Sequence, residues 1–211
     1  MRPETAAYAP TYGLVLYCRS RALPLTVATL LGTALLAAVC AHRLNAYTDP
    51  YQHVPLVMAL APMIAAAVIG NSLYQHSAEL ERTAVRPAWP RRLAHLLALT
   101  TLAAGTLALA VPGHAQEFGA PVMVRNLVGA VGITAVAATV IGARLSWLPT
   151  VAYLGAVSLA GGGAPGRAAM IWAWAVQPGP QPAAWAAAAG TFVVGGALYA
   201  VRGARPESPH D

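Results

Sequence analysis

The sequence predicts an all-α protein, a polytopic membrane bundle of six transmembrane helices, and three observations support that prediction. Apolar residues make up 57% of the 211 residues, charged residues only 9%, and the mean hydropathy is +0.56. Soluble domains carry about a quarter charged residues. The apolar residues gather in long segments, and the cationic residues gather in the loops on one side of them. This pattern indicates a chain whose solvent is a lipid bilayer.

Six apolar segments are each expected to cross the bilayer as a helix, since about 20 residues span about 30 Å of hydrocarbon. The expected spans are 23–40, 54–73, 93–111, 122–141, 147–160 and 183–201. Residues 1–22 form an N-terminal tail with an interfacial helix, and 202–211 form a cytoplasmic tail. The fifth span is short, about 21 Å as a helix, so we expect it to cross with help from its neighbours.

The arginines orient the predicted bundle. Every one of the 13 cationic residues is arginine. With six spans, ten of them fall on the side of the termini and three on the other side: Arg2, Arg19, Arg21, Arg82, Arg86, Arg91, Arg92, Arg144, Arg202 and Arg205 against Arg43, Arg125 and Arg167. The positive-inside rule then places both termini in the cytoplasm of a multi-pass plasma-membrane protein. The same asymmetry accounts for the net charge of +6 without a nucleic-acid partner.

Three irregular positions stand out within the spans. Pro62 removes one backbone hydrogen bond from the second span and is expected to act as a hinge. Arg125 lies one turn inside the fourth span, from where it is expected to reach the lipid headgroups. The apolar piece 168–176, with Trp172 and Trp174, stands between two Gly/Pro-rich breaks. It predicts an outer interfacial or re-entrant helix, whose irregular backbone must be buried in protein or wet.

Motifs for chemistry are missing from the sequence. None of the seven acidic residues falls inside a predicted span, which disfavours ion-coupled transport, because such carriers usually keep a buried carboxylate. The six histidines are scattered, and neither HExxH nor GxxxxGK[ST] occurs. We therefore expect no enzyme activity, no cofactor and no metal site, and an energy source that lies in another subunit.

The longest polar stretch, 71–92, separates the second and third spans and is predicted to lie in the cytoplasm. Within it, Ser77 can cap a short helix over 78–85, and Glu79 suits the first turn of that helix. Glu79 and Arg82 are partners at i, i+3. A helix of this length is not stable alone in water, so it needs a partner surface or the headgroup plane; a solvated loop is the alternative.

These features together resemble the permease subunits of ABC-2 type exporters. The piece 12–21 is similar to the interfacial connecting helix of that family, 77–83 falls where the family has its coupling helix, and 168–176 falls where it has outer re-entrant helices. The resemblance implies a dimer, with itself or with a second permease. It also implies a cytoplasmic ATP-binding subunit that docks on the coupling helix: Glu79, Leu80, Glu81, Arg82 and Thr83.

The function expected on this basis is that of the membrane subunit of an ATP-driven exporter for a hydrophobic or amphipathic compound. Two alternatives stay open. One is a non-transporting membrane scaffold or assembly protein. The other is a substrate-capture subunit of an importer, which ranks lower because the spans offer few polar groups to hold a small polar ligand.

Overall fold

The computed structural model describes residues 23–47, 50–74, 88–110, 119–159, 171–177 and 179–206, with the backbone alone for 44–47 and 50–56. Within these ranges the chain forms six α-helices and one short 3-10 turn, and no strand. The all-α prediction is confirmed for this part of the chain.

The helices overlap the predicted apolar segments. They are α1 Leu23–Tyr47, α2 Pro50–Ser72, α3 Trp89–Ala110, α4 Ala120–Val140, α5 Leu148–Leu159 and α6 Pro182–Arg202, with the 3-10 turn Trp174–Val176 between α5 and α6. Four of the described helices, α1, α3, α4 and α6, are long and apolar enough to cross a membrane. The apolar part described in α2, Val57–Ser72, and the whole of α5 are shorter. The chain is thus consistent with a helical membrane protein, and six crossings remain a prediction.

Proline and glycine set several helix ends. Pro121 and Pro182 lie in the first turns of α4 and α6, where a backbone N–H has no intrahelical acceptor. α6 ends at Gly203, whose φ of 75° and ψ of −179° lie in a region that is essentially open only to glycine. The Gly203 N–H donates to the Tyr199 carbonyl at 2.8 Å, so the last turn of α6 is closed by a backbone hydrogen bond.

The fourth helix forms the centre of the bundle. Of its 21 residues, 13 are buried, and α4 packs against α2, α3, α5 and α6. Against α6 the approach is backbone to backbone: a Cβ on Gly195 would overlap the carbonyl of Gly132, and one on Gly132 would lie 2.6 Å from the backbone nitrogen of Phe192. Small residues permit such approaches in membrane bundles. α1 instead leaves large apolar side chains exposed, among them Leu25, Leu35 and Leu36.

One end of the bundle, which we call the basic end, joins the end of α2, the start of α3 and the ends of α4 and α6. Arg92 Nη1 donates to the Ala200 carbonyl at 3.4 Å, and Arg205 donates from Nη1 to the Val140 carbonyl at 3.0 Å. The Arg144 guanidinium lies 5.7 Å from the centroid of the Tyr74 ring. The arginines described at this end are Arg91, Arg92, Arg144, Arg202 and Arg205, whereas the opposite end has Arg43 and Arg125.

Candidate functional site

A buried polar cluster lies near the opposite end of the bundle, at the start of α4. Its centre is the pair Arg125 and Asn126, whose side chains are 0% and 2% exposed. The prediction that Arg125 reaches the headgroups is therefore wrong. The physical reason is that a backbone carbonyl and a side-chain amide oxygen inside the protein accept hydrogen bonds from the guanidinium, in place of water or lipid headgroups.

Arg125 fastens the segment 171–177 to α4. Its Nη2 donates to the Gln177 carbonyl at 2.6 Å. Both Nε and Nη2 also approach Asn126 Oδ1 at 3.3 Å. The Gln177 carbonyl thus accepts a hydrogen bond from a charged donor. Hydrogen bonds to charged groups are stronger than those between neutral groups.

Asn126 uses its amide nitrogen to join two other parts of the chain. Nδ2 donates to the Met58 carbonyl in α2 at 3.1 Å and to the Ala175 carbonyl in the 3-10 turn at 2.8 Å. The side-chain oxygen faces the Arg125 guanidinium. The amide oxygen therefore lies beside a donor, and the amide nitrogen lies beside two acceptors. One buried amide therefore connects α2, α4 and the segment before α6.

The Met58 carbonyl has a particular need for this donor. In an α-helix the carbonyl of residue 58 would accept from the N–H of residue 62. That residue is Pro62, which has no N–H. Breaks of this kind are tolerated in apolar surroundings where a neighbouring helix supplies the missing partner. Asn126 supplies it here, so the predicted hinge position and the buried polar cluster are parts of one arrangement.

The two tryptophans of the segment have different environments. Trp172 is 42% exposed, whereas Trp174 is 4% exposed. The Trp174 indole occupies the space beside Gly129 of α4, where a Cβ would overlap it. It also stacks on the Tyr153 ring of α5, with centroids 5.3 Å apart and an angle of 22° between the planes. The segment is therefore anchored to the bundle by packing as well as by hydrogen bonds.

The hydroxyl of Tyr153 stands apart from these contacts. Its oxygen is buried and makes no hydrogen bond to the residues that the structure describes. The backbone N–H of Ala175 and the Arg125 guanidinium are near enough to act on it electrostatically. The hydroxyl therefore lies near donors but forms no well-aligned hydrogen bond with the described residues.

Two further polar pairs join helices elsewhere in the core. Ser72 Oγ and His95 Nε2 are 3.3 Å apart between α2 and α3. Thr134 and Thr150 bring their hydroxyl oxygens to 2.9 Å between α4 and α5. Hydrogen-bonding side-chain pairs of this kind are typical of helix contacts in membranes. In the part of the chain that the structure describes, no group of three or more His, Cys, Asp or Glu residues could hold a metal ion.

The residues predicted from the sequence fall in different places. The docking residues Glu79, Leu80, Glu81, Arg82 and Thr83 lie outside the described residues. Pro62 is buried inside a continuous α2, and its role as a hinge stays a prediction. Sequence reasoning missed the pairing of Asn126 with the Pro62 break. Two features of the sequence could have indicated it. A proline inside an apolar span leaves the carbonyl four residues earlier in need of a donor from elsewhere, and another span contains an amide side chain.

No family model, curated protein or solved structure matches the chain. The buried cluster is therefore the feature from which a function can be inferred. It holds an irregular piece of backbone inside an apolar bundle, next to the backbone hydrogen bond that Pro62 removes from α2. Polar groups at membrane depth are costly and usually have a functional role.

Proposed function

We propose that this chain is the membrane subunit of an ATP-driven exporter of the ABC-2 type, which moves a hydrophobic or amphipathic compound out of the cell. The observation that carries the proposal is the irregular segment 171–177, which packs against α4 and is held there by hydrogen bonds from Arg125 and Asn126. Irregular backbone of this kind occurs in membrane proteins where it lines a path or is buried next to one.

The proposed topology has six crossings and cytoplasmic termini. It is supported by the basic end, which gathers five of the seven arginines in the described residues, as the positive-inside rule requires of a cytoplasmic face. The polar stretch 71–92 begins and ends at this same end, because Tyr74 and Arg92 both lie there. A cytoplasmic ATP-binding subunit would dock there on Glu79, Glu81 and Arg82, and a second copy or a second permease would complete the transporter.

The proposed mechanism uses α2 as a lever. ATP binding in the partner moves the cytoplasmic loop, and the loop moves the end of α2. Bending at Pro62 then acts on the Met58 carbonyl, whose hydrogen bond ends on Asn126. The other hydrogen bond of that amide holds Ala175. Bending at Pro62 and the position of the segment 171–177 are in this way coupled through one side chain.

The test is charge reversal in the loop. The variant with Glu79→Lys and Glu81→Lys is expected to lose at least tenfold in capture of an ATP-photolabelled protein by the tagged chain, since like charges at an interface cost several kcal/mol. The matched control is Glu207→Lys, which reverses a charge in the predicted cytoplasmic tail and should leave capture unchanged. Equal capture by the double variant and the original chain would refute the docking claim.

A second candidate is a non-transporting scaffold, and the tight packing of α4 against α6 favours it. A Cβ on Gly195 would overlap the Gly132 carbonyl, and so close a backbone approach suits a rigid element. Stimulation of ATP hydrolysis separates the two readings. If the chain is an exporter subunit, it should raise the ATPase rate of its captured partner, and cells that lack it should lose export. If the chain is a scaffold, neither effect should be seen.

A further inference from the structure

The helices α5 and α6 border a cleft that runs along α4. Both pack on α4 and on the 3-10 turn, whereas α5 and α6 make no extended contact with each other in the part of the chain that the structure describes. Trp174 fills one part of the cleft, where it lies beside Gly129 of α4 and packs with Leu154 of α5 and Ala184 of α6. The rest of the cleft extends from Trp174 towards the basic end.

The floor of this remaining part is an apolar strip of α4. Positions 129, 133, 136 and 140 follow one another at steps of four and three residues, so they lie on one face of the helix. Beyond Gly129 the strip consists of Ile133, Val136 and Val140, which we call the floor strip. Although 13 of the 21 residues of α4 are buried, Val140 is 55% exposed. The central helix of the bundle is therefore uncovered at this end of the cleft.

The walls of the cleft are apolar on the α5 side and cationic at the end of α6. Val151 and Trp147 lie about one and two turns before Leu154 on the same face, and they are 36% and 37% exposed. On α6, Ala184 and Arg202 are 18 positions apart, which is five helical turns. Arg202 therefore lies on the face of α6 that borders the cleft.

A second arginine lies at the end of the floor strip. Arg205 donates from Nη1 to the Val140 carbonyl at 3.0 Å, so its guanidinium is at the mouth of the cleft. The side chains of Arg202 and Arg205 are both exposed. A guanidinium has five N–H donors, and phosphate oxygens accept charge-assisted hydrogen bonds from it. The mouth is thus suited to a phosphate, and the interior is suited to hydrocarbon.

The length of the cleft matches one leaflet of a bilayer. Gly129 and Val140 are 11 positions apart, which corresponds to about 16 Å along a helix. Half of the hydrocarbon core of a bilayer is about 15 Å thick. An acyl chain whose headgroup lies at the arginines would therefore reach Trp174, which closes the cleft at that depth.

We infer that this cleft binds one acyl chain of an anionic phospholipid, whose phosphate lies between Arg202 and Arg205. The chain lies along the floor strip and ends at Trp174. Basic sites between membrane helices recognise the headgroups of anionic lipids in this way. The inference does not rest on the proposed function, since a scaffold could hold such a lipid as well as an exporter could.

The test uses the purified full chain in neutral-detergent micelles, without any ATPase, and counts bound lipid by native mass spectrometry. The probes are dioleoyl phosphatidylglycerol and dioleoyl phosphatidylcholine, which have the same chains and differ in the net charge of the headgroup. Phosphatidylglycerol is expected to bind about tenfold more tightly, because the two arginines favour a net negative headgroup. Glycerol 3-phosphate at equal concentration should not displace it, because that anion lacks the chains.

Charge variants test the mouth of the cleft. The variant with Arg202→Gln and Arg205→Gln should lose the preference for phosphatidylglycerol. The matched control is the variant with Arg43→Gln and Arg91→Gln, which loses the same charge from α1 and α3 and should keep the preference. An equal loss in the two double variants would indicate attraction by the overall charge of the protein and would refute a site at the cleft.

Size variants test the interior of the cleft. Val140→Trp places a large side chain on the floor strip and should lower the binding of both lipids at least tenfold. Val193→Trp is the matched control: Val193 is 66% exposed and lies nine positions, or two and a half turns, from Ala184, on the opposite face of α6. This control should leave both affinities unchanged.

Three further outcomes would overturn the inference. They are equal binding of the two lipids by the original chain, unchanged binding in Val140→Trp, and displacement by glycerol 3-phosphate, which would indicate a site for a small anion. Because no ATPase is present, these outcomes are independent of the capture experiment with the loop variants. A failure of the lipid site would therefore leave the proposed function standing, and a failure of capture would leave the lipid site standing.

Discussion

The hydrogen bond between Asn126 and the Met58 carbonyl should matter only while residue 62 is a proline. In the Pro62→Ala variant, the new N–H can donate to the Met58 carbonyl within α2. Asn126→Ala should therefore destabilise the Pro62→Ala protein less than it destabilises the original chain. The cost should not vanish, because the Ala175 carbonyl would still lose its donor.

The size of the destabilisation follows from the number of hydrogen bonds that Asn126 makes. Asn126→Ala removes two donor bonds, to Met58 and Ala175, and one acceptor for Arg125. Hydrogen bonds between membrane helices average about 0.6 kcal/mol, with a maximum of about 1.7. The two donor bonds together are then worth about 1–3 kcal/mol, and the part that depends on Pro62 is one of them. We expect a coupling free energy of about 0.6–1.7 kcal/mol.

The measurement is a double-mutant cycle by SDS titration in mixed micelles, with helix content followed by circular dichroism. The control cycle pairs Asn126→Ala with Pro55→Ala, a proline nearer the start of α2, and should be additive. Additivity of the Pro62 cycle within about 0.3–0.5 kcal/mol, the usual limit for independent sites, would refute the claim that Asn126 serves the proline break.

Glycine substitutions test the packing at the other contacts. Gly195→Ala should destabilise the bundle by about 1–3 kcal/mol, because its Cβ would overlap the Gly132 carbonyl, whereas Gly190→Ala, where a Cβ meets nothing within 4 Å, should be neutral or stabilising in the same titration. Gly203→Ala should cost about 1–3 kcal/mol, because φ is 75° there and the added Cβ would lie 2.9 Å from the Arg92 guanidinium. Equal stability of all three variants would contradict both explanations.

The helices could be predicted from the sequence because their signal is local. A run of about 20 apolar residues in a bilayer favours a helix, because only a helix satisfies all backbone hydrogen bonds within a single segment. The boundaries were less accurate: α1 extends to Tyr47, beyond the predicted end at residue 40, and α3 begins at Trp89 rather than at residue 93. Polar residues such as His42 and Arg92 can continue a helix although they end an apolar run.

The buried cluster could not be predicted in this way, because its bonds join distant residues. Arg125 and Gln177 are 52 positions apart, and Asn126 and Met58 are 68 apart. Distance from a helix end predicts the depth of an arginine in the membrane, but not whether another segment brings carbonyls to it. The error about Arg125 follows directly from this limit.

Asn126 donates hydrogen bonds to two backbone carbonyls, and leaving either of them without a donor would be unfavourable. The proline in α2 leaves one carbonyl without its intrahelical partner, and the 3-10 turn leaves another, at Ala175. In an apolar environment each unsatisfied carbonyl is costly. A movement that withdraws Met58 from Asn126 removes one of the two hydrogen bonds that the amide nitrogen donates, and the amide then holds Ala175 less firmly. Bending at Pro62 and release of the segment 171–177 should therefore favour each other, because both act on the Asn126 amide.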